Sequence, residues 1–443
     1  MRLAHGVEPD GSCANRPCLV SGAESRLAAA ELLHWTIDKR RTLDEAMTLS
    51  DTYNALEGSD RGFARAIASA ALRHLGWIDQ TVQPFLSRPL SATGIEIRAR
   101  IRAGAAQVWF LDVAPHAAVN ATVDAARLTR GARSGGSFLN AALRRVSEAA
   151  PPGETLPAEE IWPGWLRARF VGSLGTEGAR ALAEAQRAEP ALHLTAAQDP
   201  AALAALIGGT LLSSGSVEAP AGAVEEFPGF AEGDFWVQDQ AAALPARLLA
   251  AKPGERVLDL CAAPGGKTLQ LAATGASVTA VDRSAPRLER LRENFARTGL
   301  SAEVIVADGE AFTADAPFDK ILLDAPCSAL GTLRRHPEGA WIKTEADVAR
   351  FPGVQARLLE AAARQLAPGG TLIYCVCSPL AAEGLDVVQA AITSGSLVRV
   401  PVSAAECPGF EDCVTPEGDV LTLPGPSRDC DAFYIARLAK ASK

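Results

Sequence analysis

No apolar run in this 443-residue chain approaches the roughly 18 residues that a membrane-crossing helix needs, so a bilayer is not expected among its partners. Residues 1–24 hold Gly, Pro, Ser and scattered charge but no apolar centre; they read as a disordered tail, not as a secretory signal, on a cytoplasmic protein. The nine cysteines include no Cys-x-x-Cys and are unevenly spaced, which argues against a disulfide framework and for a reducing compartment where thiols serve packing or chemistry. No repeat of fixed period is present. A surplus of positive charge is also missing. The formal net charge of −9 runs against a strongly basic nucleic-acid binder. The balance is uneven, however: residues 1–150 hold 18 Lys/Arg against 15 Asp/Glu, which leaves the rest at −12, so any basic face is local.

What is present is an ordinary globular composition, 48% hydrophobic and 21% charged, in a chain long enough to expect two or three domains. From residue 25 to about 150 the apolar positions keep a helical period, as in Ala30, Leu33 and Ile37, and again in Ile97, Ile101, Ala105 and Val108. An all-helical domain is predicted there. Opposite the second stripe stand Arg98 and Arg102, one turn apart, followed by Arg127, Arg130, Arg133, Arg144 and Arg145. Such a set lines either a phosphate-binding surface or a solvated helix face. Pro151, Pro152 and Gly153 then open a linker and small intermediate subdomain, 151–230, whose chemistry is silent. Over 231–443, β-rich runs near 256–260, 278–281, 304–307, 320–323 and 371–376 alternate with helical stretches, which predicts an α/β domain with a doubly wound, mostly parallel sheet.

The first of these runs continues into Cys261-Ala262-Ala263-Pro264-Gly265-Gly266-Lys267-Thr268, a small-residue turn leading into a helix. Gly265 and Gly266 place no Cβ in a ligand's way, and free N–H groups at the helix start favour an acceptor such as a carboxylate or phosphate. A phosphate-binding P-loop of an NTPase is missed by one residue, because Cys261 stands where its first glycine must be. Asp282 and Asp308 close the second and third strands, where an open α/β sheet holds its ligand. Asp282 can accept both ribose hydroxyls, with Asp308 near an adenine and the glycine turn near an amino-acid end. An adenosine without a polyphosphate fits, and S-adenosylmethionine is the cofactor expected. Each aspartate alone also suits a loop or helix cap.

The fourth strand ends in Asp324-Ala325-Pro326-Cys327-Ser328 and the fifth in Tyr374-Cys375-Val376-Cys377-Ser378, so thiols emerge beside the ligand crevice. Adding a thiolate to C6 of a cytosine activates C5 toward a sulfonium methyl, and Asp324 can hydrogen-bond the ring edge as charge develops. Cys375, Cys407, Cys413 and Cys430 are expected as small core residues. A zinc site on Cys375 and Cys377 lacks partners, and a redox pair lacks its Cys-x-x-Cys. No metal is expected.

Together these residues resemble the Sun/Fmu-type bacterial ribosomal RNA cytosine-C5 methyltransferases, over residues 26–438. The likeness rests on the turn 261–268, on Asp324 to Ser328 with the following Arg334-Arg335-His336-Pro337-Glu338, on 374–378, on Phe235-Trp236-Val237-Gln238-Asp239 and on Asp431-Ala432-Phe433-Tyr434. In the helical region His116-Ala117-Ala118-Val119-Asn120 and 138–145 are similar to the NusB-type RNA-binding domain of the 16S branch. The resemblance implies a class I Rossmann-like S-adenosylmethionine methyltransferase domain after a NusB-like domain, working as a monomer on small-subunit rRNA, free or in an assembling 30S particle. It implies Cys377 as nucleophile and Cys327 as the residue assisting elimination. Residues 261–267, Asp282, Asp308 and Asp324 would surround cofactor and base, Arg287 would support the cofactor's ribose or carboxylate, and His336 would anchor a loop. Three departures stand out: Ala329-Leu330-Gly331 for Gly-Thr-Gly, Val376 for Thr, and Gly384 for Asn. Because the loop after Cys327 touches substrate, the target nucleotide is less fixed than the reaction; a tRNA or another rRNA cytosine, or a non-catalytic RNA-binding assembly factor, are the alternatives.

Overall fold

The computed structural model describes residues 22–425 and 428–441, and the chain divides into two compact units, one ending at Leu156 and one starting at Pro157. The tail expected over 1–24 lies outside the described residues as far as residue 21; Ala23 and Glu24 already belong to a helix. No described helix is long and apolar enough to cross a membrane.

The first unit is helical: α1 (Ala23–Leu33), α2 (Leu43–Leu49), α3 (Gly58–Arg73), α4 (Leu75–Val82), α5 (Ile95–Phe110), α6 (Pro115–Arg127) and α7 (Gly136–Glu148). A capping box of Thr42 and Glu45 starts α2. The core is built largely from alanine, with Ala28, Ala64, Ala68, Ala71 and Ala105 between Leu32, Ile67, Ile101 and Leu143. Small side chains bring the helix axes close. At Gly104 of α5 an added Cβ would lie 2.5 Å from Leu143 of α7, so this crossing depends on glycine.

The arginines of α5 correct the expectation of a phosphate surface or a solvated face. Arg98 donates to Asp38 at 2.6 Å, and Arg102, only 8% exposed, grips both oxygens of Asp79 at 2.8 and 2.6 Å. Both fasten helices within the unit. Arg127 pairs with Asp124 on its own helix, and Arg145 donates to the Phe85 carbonyl. The side chains of Arg130 and Arg133 lie outside the described residues.

The second unit opens with α8 (Gly164–Gln186), broken at Gly175, and a small antiparallel sheet ordered β2-β3-β1-β4 from β1 (His193–Ala196), β2 (Thr210–Leu211), β3 (Val217–Glu218) and β4 (Phe235–Val237). Of the segment expected as linker and subdomain, residues 157–230 fall within this unit and residues 151–156 within the first. There follow α9 (Gln240–Leu249), β5 (Arg256–Leu260), α10 (Gly266–Ala273), β6 (Ser277–Asp282), α11 (Ala285–Thr298), β7 (Glu303–Val306), β8 (Phe318–Asp324), α12 (Phe351–Gln365), β9 (Leu366–Val376), α13 (Leu385–Thr393), β10 (Leu397–Arg399), β11 (Val420–Thr422) and β12 (Phe433–Lys440). The large sheet has the order β10-β12-β9-β8-β5-β6-β7, with β11 paired on β12. Strands β5 to β9 are parallel and β12 runs antiparallel to β9. These five parallel strands are those predicted from the β-rich runs.

They read as continuous apolar runs because both faces are covered. Leu258, Leu260, Ile321, Leu323 and Tyr374 pack with Leu358, Leu359 and Ala362 of α12. Val257, Leu322, Ile373 and Cys375 pack with Ala241, Leu244 and Leu248 of α9 on the other side. Strand order reverses between β5 and β8, and such a reversal opens a ligand crevice at the carboxyl ends of the strands.

In the helical unit, Arg102→Ala is expected to lower stability by about 2 kcal/mol, since it removes two charge-assisted bonds from a mostly buried site and strands Asp79. Thermal melting of the full chain checks this, with the Arg102→Ala/Asp79→Ala double variant recovering part of the loss.

Candidate functional site

The turn after β5 is shaped by its glycines. Gly265 caps α10 in the left-handed region at φ 112°, and a Cβ there would lie 2.3 Å from Leu291 of α11. Ala262 and Ala263 are buried beneath the turn, and Pro264 is exposed beside Gly265. Asp282, at the end of β6 and 5% exposed, pins this turn from the side: Oδ2 accepts from the Ala263 N–H at 3.1 Å and Oδ1 from the Ser284 N–H at 2.8 Å. Arg287, from the first turn of α11, donates to the Ala263 carbonyl and stands 3.9 Å from Asp282. Asp308, just beyond β7, is exposed and accepts from the Glu310 N–H at 3.0 Å. Lys267 crosses from the start of α10 to the end of β8, where its Nζ lies 2.7 Å from Asp324 Oδ2.

The same crevice holds Asp259, which the sequence reading passed over as a strand residue. It is 1% exposed; its Oδ2 accepts from the Thr268 hydroxyl at 2.6 Å, and among the described residues its buried Oδ1 has no hydrogen-bond partner. Burial, with the charges of Asp324 and Asp282 nearby, pushes its carboxyl up to about 7. For Lys267, burial favours the neutral amine, but the Asp324 carboxylate outweighs it and holds the ammonium above its usual range.

The thiols sort themselves by environment. Cys407, Cys413 and Cys430 are buried in the core, and Cys261 is half-buried at the turn. Cys375 is fully buried with Sγ 3.5 Å from Asp324 Oδ1; burial, then the carboxylate's charge, keep it a thiol. Cys327 and Cys377 meet, with a sulfur–sulfur distance of 3.4 Å. Cys327 is driven well above the usual thiol range by its bond to Cys377, by burial and by the charges of Cys377 and Glu383. Cys327 therefore holds its proton tightly, and either sulfur can donate across the contact. Among the described residues no group of three or more His, Cys, Asp or Glu is arranged to hold a metal.

The departures have structural outcomes. Ala329, where Gly would be expected, sits at φ 53°, while the neighbouring Gly331 is retained where a Cβ would lie 1.9 Å from the Ala432 carbonyl. His336 Nδ1 is 3.8 Å from Glu338 Oε1 within the same loop.

With this geometry in view, comparison with known proteins is decisive. The family described as 16S rRNA methyltransferase RsmB/F matches residues 246–439, and the NusB family matches 23–148. The chain is 35% identical over 439 residues to ribosomal RNA small subunit methyltransferase B of Xanthomonas campestris, covering 95% of this chain and 98% of that one. It is 32% identical over 441 residues to the protein of the same name from Salmonella typhi, covering 94% and 98%. The chain belongs to this family. Members are S-adenosylmethionine-dependent RNA methyltransferases. The fold agrees: the crystal structure of PH0851 superposes with a TM-score of 0.73 at 24% identity, covering 95% of this chain and all of that one. A methyltransferase homologue from Pyrococcus horikoshii gives 0.53 at 25%, covering 63% and 95%.

Asp259 yields a pH prediction. A carboxyl raised to about 7 in the fold, against about 4 unfolded, adds stability that is complete below pH 4 and lost as pH rises through 7. Asp259→Asn keeps an acceptor for Thr268 and cannot ionise. Its melting temperature is expected to fall less than that of the parent between pH 5.5 and 8; parallel curves would contradict the assignment.

Proposed function

We propose that this protein methylates C5 of a cytosine in small-subunit ribosomal RNA, using the Cys327–Cys377 pair at the mouth of the β5–β8 crevice. The sulfur–sulfur contact carries the reading, because it brings to one place the two thiols the reaction calls for, a nucleophile and a group that assists elimination.

The crevice suits S-adenosylmethionine in charge as well as shape. Asp259, Asp282, Asp308 and Asp324 gather there against Lys267 and Arg287, a balance that welcomes a sulfonium and an ammonium and repels a polyphosphate. The unpartnered Asp259 Oδ1 leaves an acceptor for such a cation. We assign residues 261–267, Asp282 and Asp308 to the cofactor, with Arg287 holding the turn through Ala263.

When bound, S-adenosylmethionine supplies an electrophilic methyl. Cys377 thiolate forms a bond to C6 of the cytosine, and the displaced electron pair makes C5 nucleophilic. Asp324, held by Lys267, faces the ring edge. Once C5 carries the methyl group, Cys327 gives its own proton to solvent, its thiolate takes the C5 proton, the C5–C6 double bond re-forms, and Cys377 leaves as thiolate. The NusB-like unit is assigned to RNA binding. We read the protein as a cytoplasmic monomer without a metal, acting on free rRNA or an assembling 30S particle.

Denaturing gels separate the two thiols. Cys377→Ala is expected to abolish methylation and to give no covalent species, while cofactor still raises the melting temperature. Cys327→Ala is expected to stall before elimination and accumulate a protein–RNA adduct, which the double variant lacks. An adduct with Cys377→Ala but not with Cys327→Ala would reverse the roles. In the same melting assay ATP is expected to stabilise none of the forms.

A further inference from the structure

The two sulfurs lie on different elements, one three residues beyond β8 and one just beyond β9, so something must set their separation. The residue following each cysteine is a buried serine, and both serines lead to one buried acid. Glu383, 0% exposed in a short turn after β9, accepts from the Ser328 N–H at 3.1 Å through Oε1 and from the Ser328 hydroxyl at 2.7 Å through Oε2. The Ser328 hydroxyl lies 3.2 Å from that of Ser378. The Glu383 carbonyl accepts from the Tyr374 hydroxyl at 2.6 Å, which ties the turn back to β9. Lys343 donates to the Ser328 carbonyl from the other side.

We propose that Glu383 is a positioning residue: it clamps the Cys327 loop to the end of β9 through Ser328 and Ser378 and so holds the two sulfurs in contact. A buried carboxylate is expensive to maintain unless its oxygens are satisfied, and here they are taken up by the loop bearing Cys327. Packing alone would not require an acid, and Lys343, whose charge favours the Glu383 carboxylate, makes its hydrogen bond to the Ser328 carbonyl. Backbone bonds from the Gly331 N–H to the Cys377 carbonyl at 2.9 Å and from the Ala325 N–H to the Cys375 carbonyl at 3.0 Å also tie these segments, and they fix the main chain, not the side chains.

The inference rests on the cysteine-pair reading above, and a test without RNA or cofactor keeps the two apart. Diamide oxidises neighbouring thiols, taking up their two hydrogens as one S–S bond forms. In the full-length protein, Cys327 and Cys377 are expected to cross-link fastest of all its thiols, read by peptide mass. Glu383→Ala is expected to slow this about tenfold, and to lower kcat for methylation by at least as much with the KM for S-adenosylmethionine unchanged, since small displacements of reacting groups cost rate steeply. Glu383→Gln, which can still bridge the two serines, is expected to restore cross-linking to within about threefold. Cross-linking of folded Glu383→Ala at the parent rate would overturn the clamp. Should that variant not fold, Ser328→Ala decides: it removes one tie, and slower cross-linking supports the clamp while an unchanged rate refutes it. If the clamp results hold but the parent methylates no RNA, the functional reading alone fails.

Discussion

The Lys267–Asp324 pair is the interaction on which the crevice depends. Asp259, Asp282 and Asp324 close three adjacent strands, and the parallel sheet forces their ends to one edge. Three carboxylates in a low-dielectric site repel strongly, and one ammonium cannot neutralise them all. Lys267 commits to Asp324, at 2.7 Å, while resting over the Phe433 ring at 5.2 Å. Asp282 takes two backbone N–H groups instead. Asp259 receives only a hydroxyl, and it is the acid whose proton affinity rises. One pair therefore spans the reversal between β5 and β8, beside an Asp259 that burial and the Asp324 charge push up to about 7. Removing either partner would leave a buried charge uncompensated, the costly outcome for such a pair.

Register delivers the thiols to the same place. Asp324 lies opposite Cys375 in the β8–β9 ladder, so the side chain of Cys375 reaches the carboxylate and remains a thiol. Period-two alternation then puts Cys377 on the same side one step further, clear of the aspartate and beyond the ladder. The Cys327 loop comes down on it from β8. Such close approach needs Gly331, whose missing Cβ admits the Ala432 and Cys377 carbonyls. Ala329 beside it adopts the left-handed conformation, which glycine takes up more readily.

The parallel strands, the glycine turn and the two thiol-bearing strand ends were legible in the sequence because each is a local pattern: an apolar run, a small-residue turn, a cysteine at a strand's end. What escaped depends on pairing between distant segments. Asp259 looks like any strand aspartate until burial beside Asp324 is known, and Glu383 carries no local signal because the Ser328 that it binds is 55 residues away. Nor does helical periodicity tell an arginine facing solvent from one gripping Asp79 from a neighbouring helix. The small sheet β1–β4 went unread because its strands are only two to four residues long.

Net charge misled for a related reason. A formal −9 counts every acid as though it faced solvent, yet many of those in the second unit do not. Asp239 and Asp431, 7% and 3% exposed, are bound by Arg335, and Arg334 lies within 3.7 Å of Asp431. Asp419 is buried against Arg399 and the Tyr434 hydroxyl. Asp259, Asp282 and Asp324 lie in the crevice. These charges act over short range on neighbours in low dielectric and contribute little to the field that a distant phosphate backbone meets across screening solvent. Acids so placed belong to the architecture and to the crevice, where a single base of an RNA substrate can enter while its phosphates stay outside.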